Sequence, residues 1–567
     1  MKKISITCLV AVSLVAGTVR AQSIQDGVND MYAERYKSAI ATFEKLLAAN
    51  PNNIEATYWL GQTYLEKNDV ASAKSLYEKA LLASANAPLV IVGMGQVELQ
   101  ENKISEAKQR FEAAITMTKG RKGNDPDILN AVGRAITEVY TQKEKKGDIN
   151  YAIEKLEEAA QRDQKNASIF LNLGNAYRKG RPGEAGGLAF QNYQRAAEIS
   201  PKFAVPHYRT AMLFNGQRNW DLFQKHMEAA IEADPKFAPA YYELYYFKLY
   251  RQDYNNAQYY AQKFIENSDP DPQNDYLAVQ TKWAKKEFDA AIAGAKAIIA
   301  KAGADTKART YKLIADSYVQ KQDTAAGKEY IDLYFANLKP DDEVQASDYK
   351  LKADIYSAIP GQESVVLQAY QDGVATDTVL SNKVDLIKQG TAFFNKQKQY
   401  NMESKLYEML IDIKPSKTIN EWFSAGYANY RDTNYQRSYE IFSIVADSFP
   451  DQIYGWEWKF RNAQILDTVA KDSIALPAAE ALIQFTNNDT VTYAQQITLA
   501  SYFLAMYYNE SGDQAKAVEY LKMMKSATSD PARKESIQKN IDALSANLPK
   551  SSTNPSGAGA KTGGAGR

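Results

Sequence analysis

Residues 241–260 read YYELYYFKLYRQDYNNAQYY, and nine of the twenty are aromatic, eight Tyr and one Phe. A phenol offers a large contact area at low ordering cost and ends in a polar handle, which suits recognition. Whether these rings grip a ligand or only fill a core depends on where each one points. A second grouping is polar and basic: Asn130, Arg134, Asn172, Asn175, Arg178 and Lys179 could hold a carboxylate or an acidic peptide. Phe423, Tyr427, Tyr430 and Arg431 make a third, aromatic again. Each has a plain alternative. Aromatic runs also pack helices, and polar runs also form solvated faces.

Covalent and metal chemistry finds little support. The two histidines, His207 and His226, bring no third ligand with them, and a zinc site needs three or four. The one cysteine, Cys8, lies near the N-terminus. The glycine-rich GAGAKTGGAG at 557–566 has no strand before it, so it is not a phosphate-cradling loop. Nor is there a Gly-x-Ser-x-Gly elbow. The expectation is no enzyme, no cofactor and no bound metal.

The 68 basic residues balance the 68 acidic ones, which argues against nucleic acid as a partner. The N-terminus reads as a secretory signal. Lys2 and Lys3 precede the apolar run ISITCLVAVSLVAG (4–17), and VRA (19–21) suggests cleavage after Ala21. Residues before Cys8 (SITC, 5–8) do not fit a lipobox, and removal of 1–21 leaves a mature chain with no thiol. The expected place is the bacterial periplasm or the exterior. No transmembrane segment is expected after the signal is removed, because no other stretch approaches a span of roughly 20 apolar residues. Residues 551–567 have no aromatic or large aliphatic side chain, so 549–567 is expected to be a disordered tail.

The elements that must position these side chains repeat. Gly61 recurs as Gly95, Ala73 as Ala107, Tyr77 as Phe111 and Ala80 as Ala114, each 34 residues on. If each repeat is a pair of antiparallel helices, as the resemblance named below implies, the spacing has a packing reason. Small residues at repeat positions 8, 20 and 27 let the helices approach, and large ones at 4, 7, 11 and 24 fill between them. A proline near position 32 ends the second helix. One pair leaves an apolar face bare, so the pairs must stack. Marks of the period run on through Ala39 and Phe43, Gly174 and Tyr193, Ala211 and Ala230, Gly426 and Phe442, and Ala505 and Ala517. They amount to roughly 14 units. The extended turn TQKEKKGDIN (141–150), the insertion GRPGEAG (180–186) and SAIPGQESVV (357–366) interrupt them.

This period, with these residue types, resembles the tetratricopeptide repeat (TPR) family in its bacterial secreted form. The resemblance implies an all-α, right-handed superhelical solenoid. Its parts would be an N-terminal array at 22–341, degenerate repeats with a possible bend at 342–417, and a C-terminal array at 418–530. A capping helix at 531–548 would cover the last apolar face. In this family, positions 2, 5, 9, 12 and 13 of the first helix line the concave groove where peptides lie. Carried over residue by residue, they are Tyr242, Tyr246, Leu249 and Tyr250 in the seventh repeat. The sixth supplies Tyr208, Met212 and Asn215, and the eighth Tyr276, Gln280 and Trp283. Asn130, Arg134, Asn175 and Arg178 fall there in the fourth and fifth, and Phe423, Tyr427, Tyr430 and Arg431 in the twelfth. The family's carboxylate clamp is not reproduced, since position 5 is Asn130 in one repeat and Leu171 in the next.

In the same register Tyr241 and Leu244 are core, and Tyr245 sits at position 8, where a small residue is usual. It is expected to widen the helix spacing, and Lys248 at position 11 adds to that distortion. The resemblance implies a non-enzymatic envelope scaffold that binds protein or peptide partners in its groove. The alternative is a glycan-binding surface protein.

Overall fold

The computed structural model describes residues 23–84, 86–183, 185–340, 342–468 and 474–546. The signal segment and the tail lie outside the described residues, as do 547 and 548 of the expected cap. The described residues form twenty-nine α-helices and two short 3-10 turns. Among them there is no strand, only an isolated bridge between Gly120 and Gly123. The chain divides into two compact units, Met1–Lys321 and Gln322–Arg567.

The first unit holds eight complete hairpins and then the helix Ala308–Gln320. They begin with Ile24–Tyr32 and Tyr36–Ala49, and end with Tyr276–Ala284 and Phe288–Ala302. The second unit opens on Thr324–Ala336, continues through five complete hairpins and finishes with Pro531–Ser545. Ile537 and Ile541 of that last helix are buried against Ala505, Val518, Leu521 and Met524. It therefore covers the apolar face of the final hairpin, the role expected of a cap. Of SAIPGQESVV, only 358–362 link the helices Ala346–Ser357 and Glu363–Thr376, and the rest belongs to those helices.

In the first unit, the turns of hairpins one to three and six to eight have a recurring cause. One residue takes the left-handed conformation: Glu34, Asn68 and Asn102, then Arg218, Gln252 and Lys286. These are 34 residues apart within each group, so the backbone repeats with the sequence. The next amide turns back to a carbonyl five residues earlier, as Asp69 N–H does to Tyr64 O at 2.8 Å and Asp253 N–H to Lys248 O at 2.9 Å. Side chains of Asp69, Asn219 and Asp253 then accept from the first turn of the second helix. The first helix is closed and the second is capped by the same few residues.

Between the helices, size is matched at a distance of sixteen residues. A Cβ on Gly61 would lie 2.2 Å from the Tyr77 ring, on Gly95 2.5 Å from Phe111, and on Gly426 2.7 Å from Phe442. Only glycine lets the ring in. The seventh hairpin, Ala238–Tyr250 and Tyr254–Asn267, inverts the pair. Tyr245 stands where the glycine would be, and sixteen residues on Ala261 stands where the ring would be, both fully buried. The Tyr245 hydroxyl donates to Leu277 O at 2.9 Å. The large residue at position 8 is therefore accompanied by a small one sixteen residues on. Lys248 lies beside the hairpin's edge, donating to Gln224 Oε1 at 3.1 Å.

Within the first unit the stack returns on itself. Ser38 Oγ and Lys37 N–H both donate to the Asp269 carboxylate at 2.6 Å, and the Arg35 guanidinium donates to the carbonyls of Lys236 and Asn267. Arg35 is itself held by Asp30 at 2.6 Å. Rings of Tyr32 and Phe203 also meet edge to face at 5.7 Å. The first hairpin therefore touches the entry to the sixth and the end of the seventh.

Candidate functional site

The first helices of successive hairpins pack beside one another and point their inner sides at a shared space. In the first unit this space includes a cavity of about 950 Å³, walled by the first helices of hairpins one to five and by the Ile199–Phe203 segment. Asn130, Arg134 and Asn172 line it, together with Tyr32, Tyr58 and Trp59. Asn172 Nδ2 donates to Asn130 Oδ1 at 2.8 Å, and Asn130 Nδ2 to Ser168 Oγ at 2.9 Å, so the amides form a chain along one wall.

Arg134 is only 3% exposed, with its guanidinium 4.6 Å from the Trp59 ring centroid. Glu66 stands at 3.6 Å, and the Tyr58 and Tyr32 hydroxyls are near enough to feel the charge. The guanidinium is thus partnered by a carboxylate and a phenol, and both of its amino nitrogens are shut off from solvent. Burial works against the charge on Arg134, but Tyr32, Tyr58, Glu66 and Glu138 outweigh it and keep the group cationic. Burial raises Glu66 above the usual carboxylate range. It also opposes ionisation of Glu138, yet Lys179, Arg209 and Arg134 hold that carboxyl below its ordinary value. Lys179 donates to Thr137 O at 2.7 Å. Asn175 lies buried and accepts from the Tyr193 hydroxyl at 2.9 Å, and Arg178 is half-buried with its Nε unpaired.

The tyrosines of the seventh hairpin sort by direction. Tyr241, Leu244, Tyr245 and Leu249 are buried. Tyr242 and Tyr246 are half-buried, and Tyr250 is 79% exposed. Their rings touch in sequence along the helix, Tyr242 to Tyr246 at 5.0 Å and Tyr246 to Tyr250 at 5.9 Å. In the eighth hairpin Tyr276 is buried under the Arg309 guanidinium at 4.3 Å, and burial pushes its phenol up to about 12. Gln280 accepts from Tyr245 at 3.2 Å, and Trp283 Nε1 donates to Asp316 at 2.5 Å. In the sixth, Tyr208, Met212 and Asn215 are half-buried, with Tyr208 edge-on to Phe237 at 5.6 Å.

In the second unit, Phe423, Tyr427 and Tyr430 stack along the helix Ile419–Arg431, with centroids 5.8 and 6.3 Å apart and planes 20° and 9° from parallel. Trp458 meets all three edge-on at 5.0–6.0 Å and stacks on Phe442 at 5.7 Å. Arg431 lies 4.9 Å from the Tyr427 centroid, and one of its amino nitrogens donates to both oxygens of the buried Glu403 carboxylate at 2.7 and 2.8 Å.

The histidines face each other at 6.4 Å, and His226 stacks on Phe214 at 5.5 Å. Among the described residues no group of three or more His, Cys, Asp or Glu side chains is placed to hold a metal ion. No described helix is long and apolar enough to cross a membrane.

Sequence reasoning passed over Trp59 and Trp458, the rings at the centre of the two clusters. Both sit one residue past position 5, and a large ring there was the available signal. It also passed over Tyr32 and Phe203, which meet only because the stack returns on itself.

Residues 31–91 match the tetratricopeptide repeat family. No curated protein matches the chain. Among solved structures, the C-terminal part of a TPR repeat-containing protein from Cytophaga hutchinsonii is 21% identical, covering 46% of this chain and 98% of that one with a TM-score of 0.27. A tetratricopeptide repeat protein from Parabacteroides merdae is 17% identical over 42% of this chain and 91% of its own, with a TM-score of 0.34. Yeast Tom70 is 13% identical over 76% and 98%, also with a TM-score of 0.34.

Proposed function

From a chain of tetratricopeptide-type hairpins, we propose a non-enzymatic scaffold of the bacterial envelope that binds protein or peptide partners along the inner faces of its first helices. The observation that carries this reading is the Tyr242–Tyr246–Tyr250 ladder. Its rings already lean on one another, so they lose little freedom when a partner covers them, and the outermost is 79% exposed. A segment lying along the helix would meet ring edges, faces and hydroxyls at the spacing of one helical turn. The signal-like N-terminus supports the envelope location.

The test is an in-cell crosslink with the full chain, wild type against Tyr242→Ala/Tyr246→Ala/Tyr250→Ala, with folding checked by circular dichroism. A defined partner captured by wild type and lost in the variant is expected. Identical capture by both refutes a recognition role for the ladder, and fractionation to the cytoplasm refutes the envelope location. One observation favours a second reading, a glycan-binding surface protein. The near-parallel Tyr427 and Tyr430 rings beside Trp458 offer flat faces of the kind sugars stack on. A glycan array with the second-unit rings intact and with Tyr430→Ala separates the two.

A further inference from the structure

A cation stands beside the tyrosine ladder. The first helices of the seventh and eighth hairpins and the helix Ala308–Gln320 pack side by side in that order. Across them come the Tyr242–Tyr246–Tyr250 ladder, then Tyr276, then Arg309, whose guanidinium lies 4.3 Å from the Tyr276 centroid. Arg309 is half-buried, and among the described residues it makes no hydrogen bond and no ion pair. Its Nε is buried without a partner, but its two amino nitrogens, unlike those of Arg134, are not shut off from solvent. A guanidinium laid on an aromatic face keeps its N–H edge available to an anion.

The surroundings leave that charge uncompensated. Arg309 acts on the phenols of both Tyr246 and Tyr276, and no carboxylate acts on Tyr276. Lys312, the next cation along the same helix, already offsets the Asp316 carboxylate. The patch is aromatic with one open positive charge.

We infer that the segment held by the ladder is an acidic peptide, with an apolar or aromatic side chain on Tyr242, Tyr246 and Tyr250 and an Asp or Glu carboxylate on Arg309. This rests on the ladder reading above and gives the partner its chemistry. One open cation matches one negative charge, and a phosphate dianion would need a second that Lys312 does not leave free. The ladder is an open face, with Tyr250 79% exposed, so a ligand gains contact by lying along it, as a peptide does. Neighbouring helices lie about 8–10 Å apart and an extended chain advances about 3.3 Å per residue, which sets the acid about two to four residues from the apolar side chain. Because Arg309 is half-exposed, its pairing selects the partner more than it tightens the complex.

The test selects phage-displayed random dodecapeptides on the full chain, on Arg309→Glu, on Arg309→Lys and on Tyr242→Ala/Tyr246→Ala/Tyr250→Ala, each checked by circular dichroism. Wild type is expected to enrich an aromatic or large apolar residue with Asp or Glu at the stated distance. Arg309→Lys should keep that acid, and Arg309→Glu should replace it with Lys or Arg. By fluorescence anisotropy, changing the acid of the best wild-type peptide to its amide should cost about tenfold in affinity, and cost nothing further on Arg309→Gln. The charge-keeping Arg309→Lys variant keeps the test decisive if a neutral or acidic replacement does not fold. Aromatic peptides without a preference for an acid overturn the inference and leave the ladder reading standing, as does an acid preference that survives in Arg309→Glu. Absence of enrichment on wild type, or the same peptides recovered on the triple tyrosine variant, overturns the ladder reading and this inference with it.

Discussion

The inverted pair in the seventh hairpin gives a prediction that can be worked through. Tyr245 and Ala261, both fully buried, stand at the repeat positions that Gly61 and Tyr77, or Gly95 and Phe111, hold elsewhere, and on the size-exchange argument the two pairs fill the same volume. Tyr245→Gly alone removes a fully buried ring. By analogy with large aromatic truncations the cost is about 3–5 kcal/mol, with about 1 kcal/mol more for glycine inside a helix. The Leu277 carbonyl is not orphaned, because Thr281 Oγ1 also donates to it at 2.9 Å. Ala261→Tyr alone places a ring where Tyr245 already stands, and overpacking of this kind costs about 1–3 kcal/mol. The double variant recreates the glycine-and-ring order of the other hairpins. Its loss should be at least about 2 kcal/mol smaller than the sum of the single losses, a coupling within the range of contacting residues. Repeat arrays do not unfold in one step, so the assay is native-state amide exchange on peptides from 238–267. If the double variant loses the sum of the single losses, within about 0.5 kcal/mol, the size-exchange argument is wrong.

Three further outcomes are expected. Lys286 has φ of 63°, so Lys286→Gly should relieve left-handed strain and stabilise the eighth hairpin by about 0.5–1 kcal/mol, read by exchange in 276–302. Asp269→Ala should release the first hairpin, raising exchange at the Lys37 and Ser38 amides by about 2 kcal/mol of lost protection while the second unit is unchanged. Burial lowers the proton affinity of His207 and His226 below the ordinary 6.5, so their contribution to stability is full above that value and is lost as pH falls through the folded-state midpoints; imidazole NMR titrations should show both midpoints below 6.5, and the acid loss in the sixth hairpin should shrink in His226→Phe.

The helical period was open to reading because it is set by contacts between neighbours in sequence. Gly61 and Tyr77 must recur as Gly95 and Phe111 wherever two helices meet in the same way. The family's inner-face positions, carried over residue by residue, picked out Tyr242, Tyr246 and Tyr250, whose rings touch in sequence along the seventh hairpin's first helix. The identity of position 8 was readable but its remedy was not, since nothing local connects Tyr245 to Ala261 until the register is laid out over both helices. The cavity was harder still. Arg134 and Asn130 were visible as polar residues on an inward register, but the burial of Arg134 against Trp59, Glu66 and Tyr32 depends on side chains from several hairpins. The approach of Tyr32 to Phe203 depends on small rotations summed over five hairpins, and no single repeat encodes that sum.

The return of the first hairpin onto the seventh has a consequence for how this unit can change over generations. An open array tolerates gain or loss of one repeat, because every junction is alike. Here Lys37 and Ser38 must find Asp269, more than two hundred residues away and six hairpins on. Deleting one 34-residue repeat between them would present the wrong carboxylate, or none, at that place. Repeat number between residues 38 and 269 is therefore held fixed by geometry, while the hairpins beyond carry no such count. Duplications that survive should fall outside this interval, and designed insertions inside it should leave the N-terminal helix pair without its clasp.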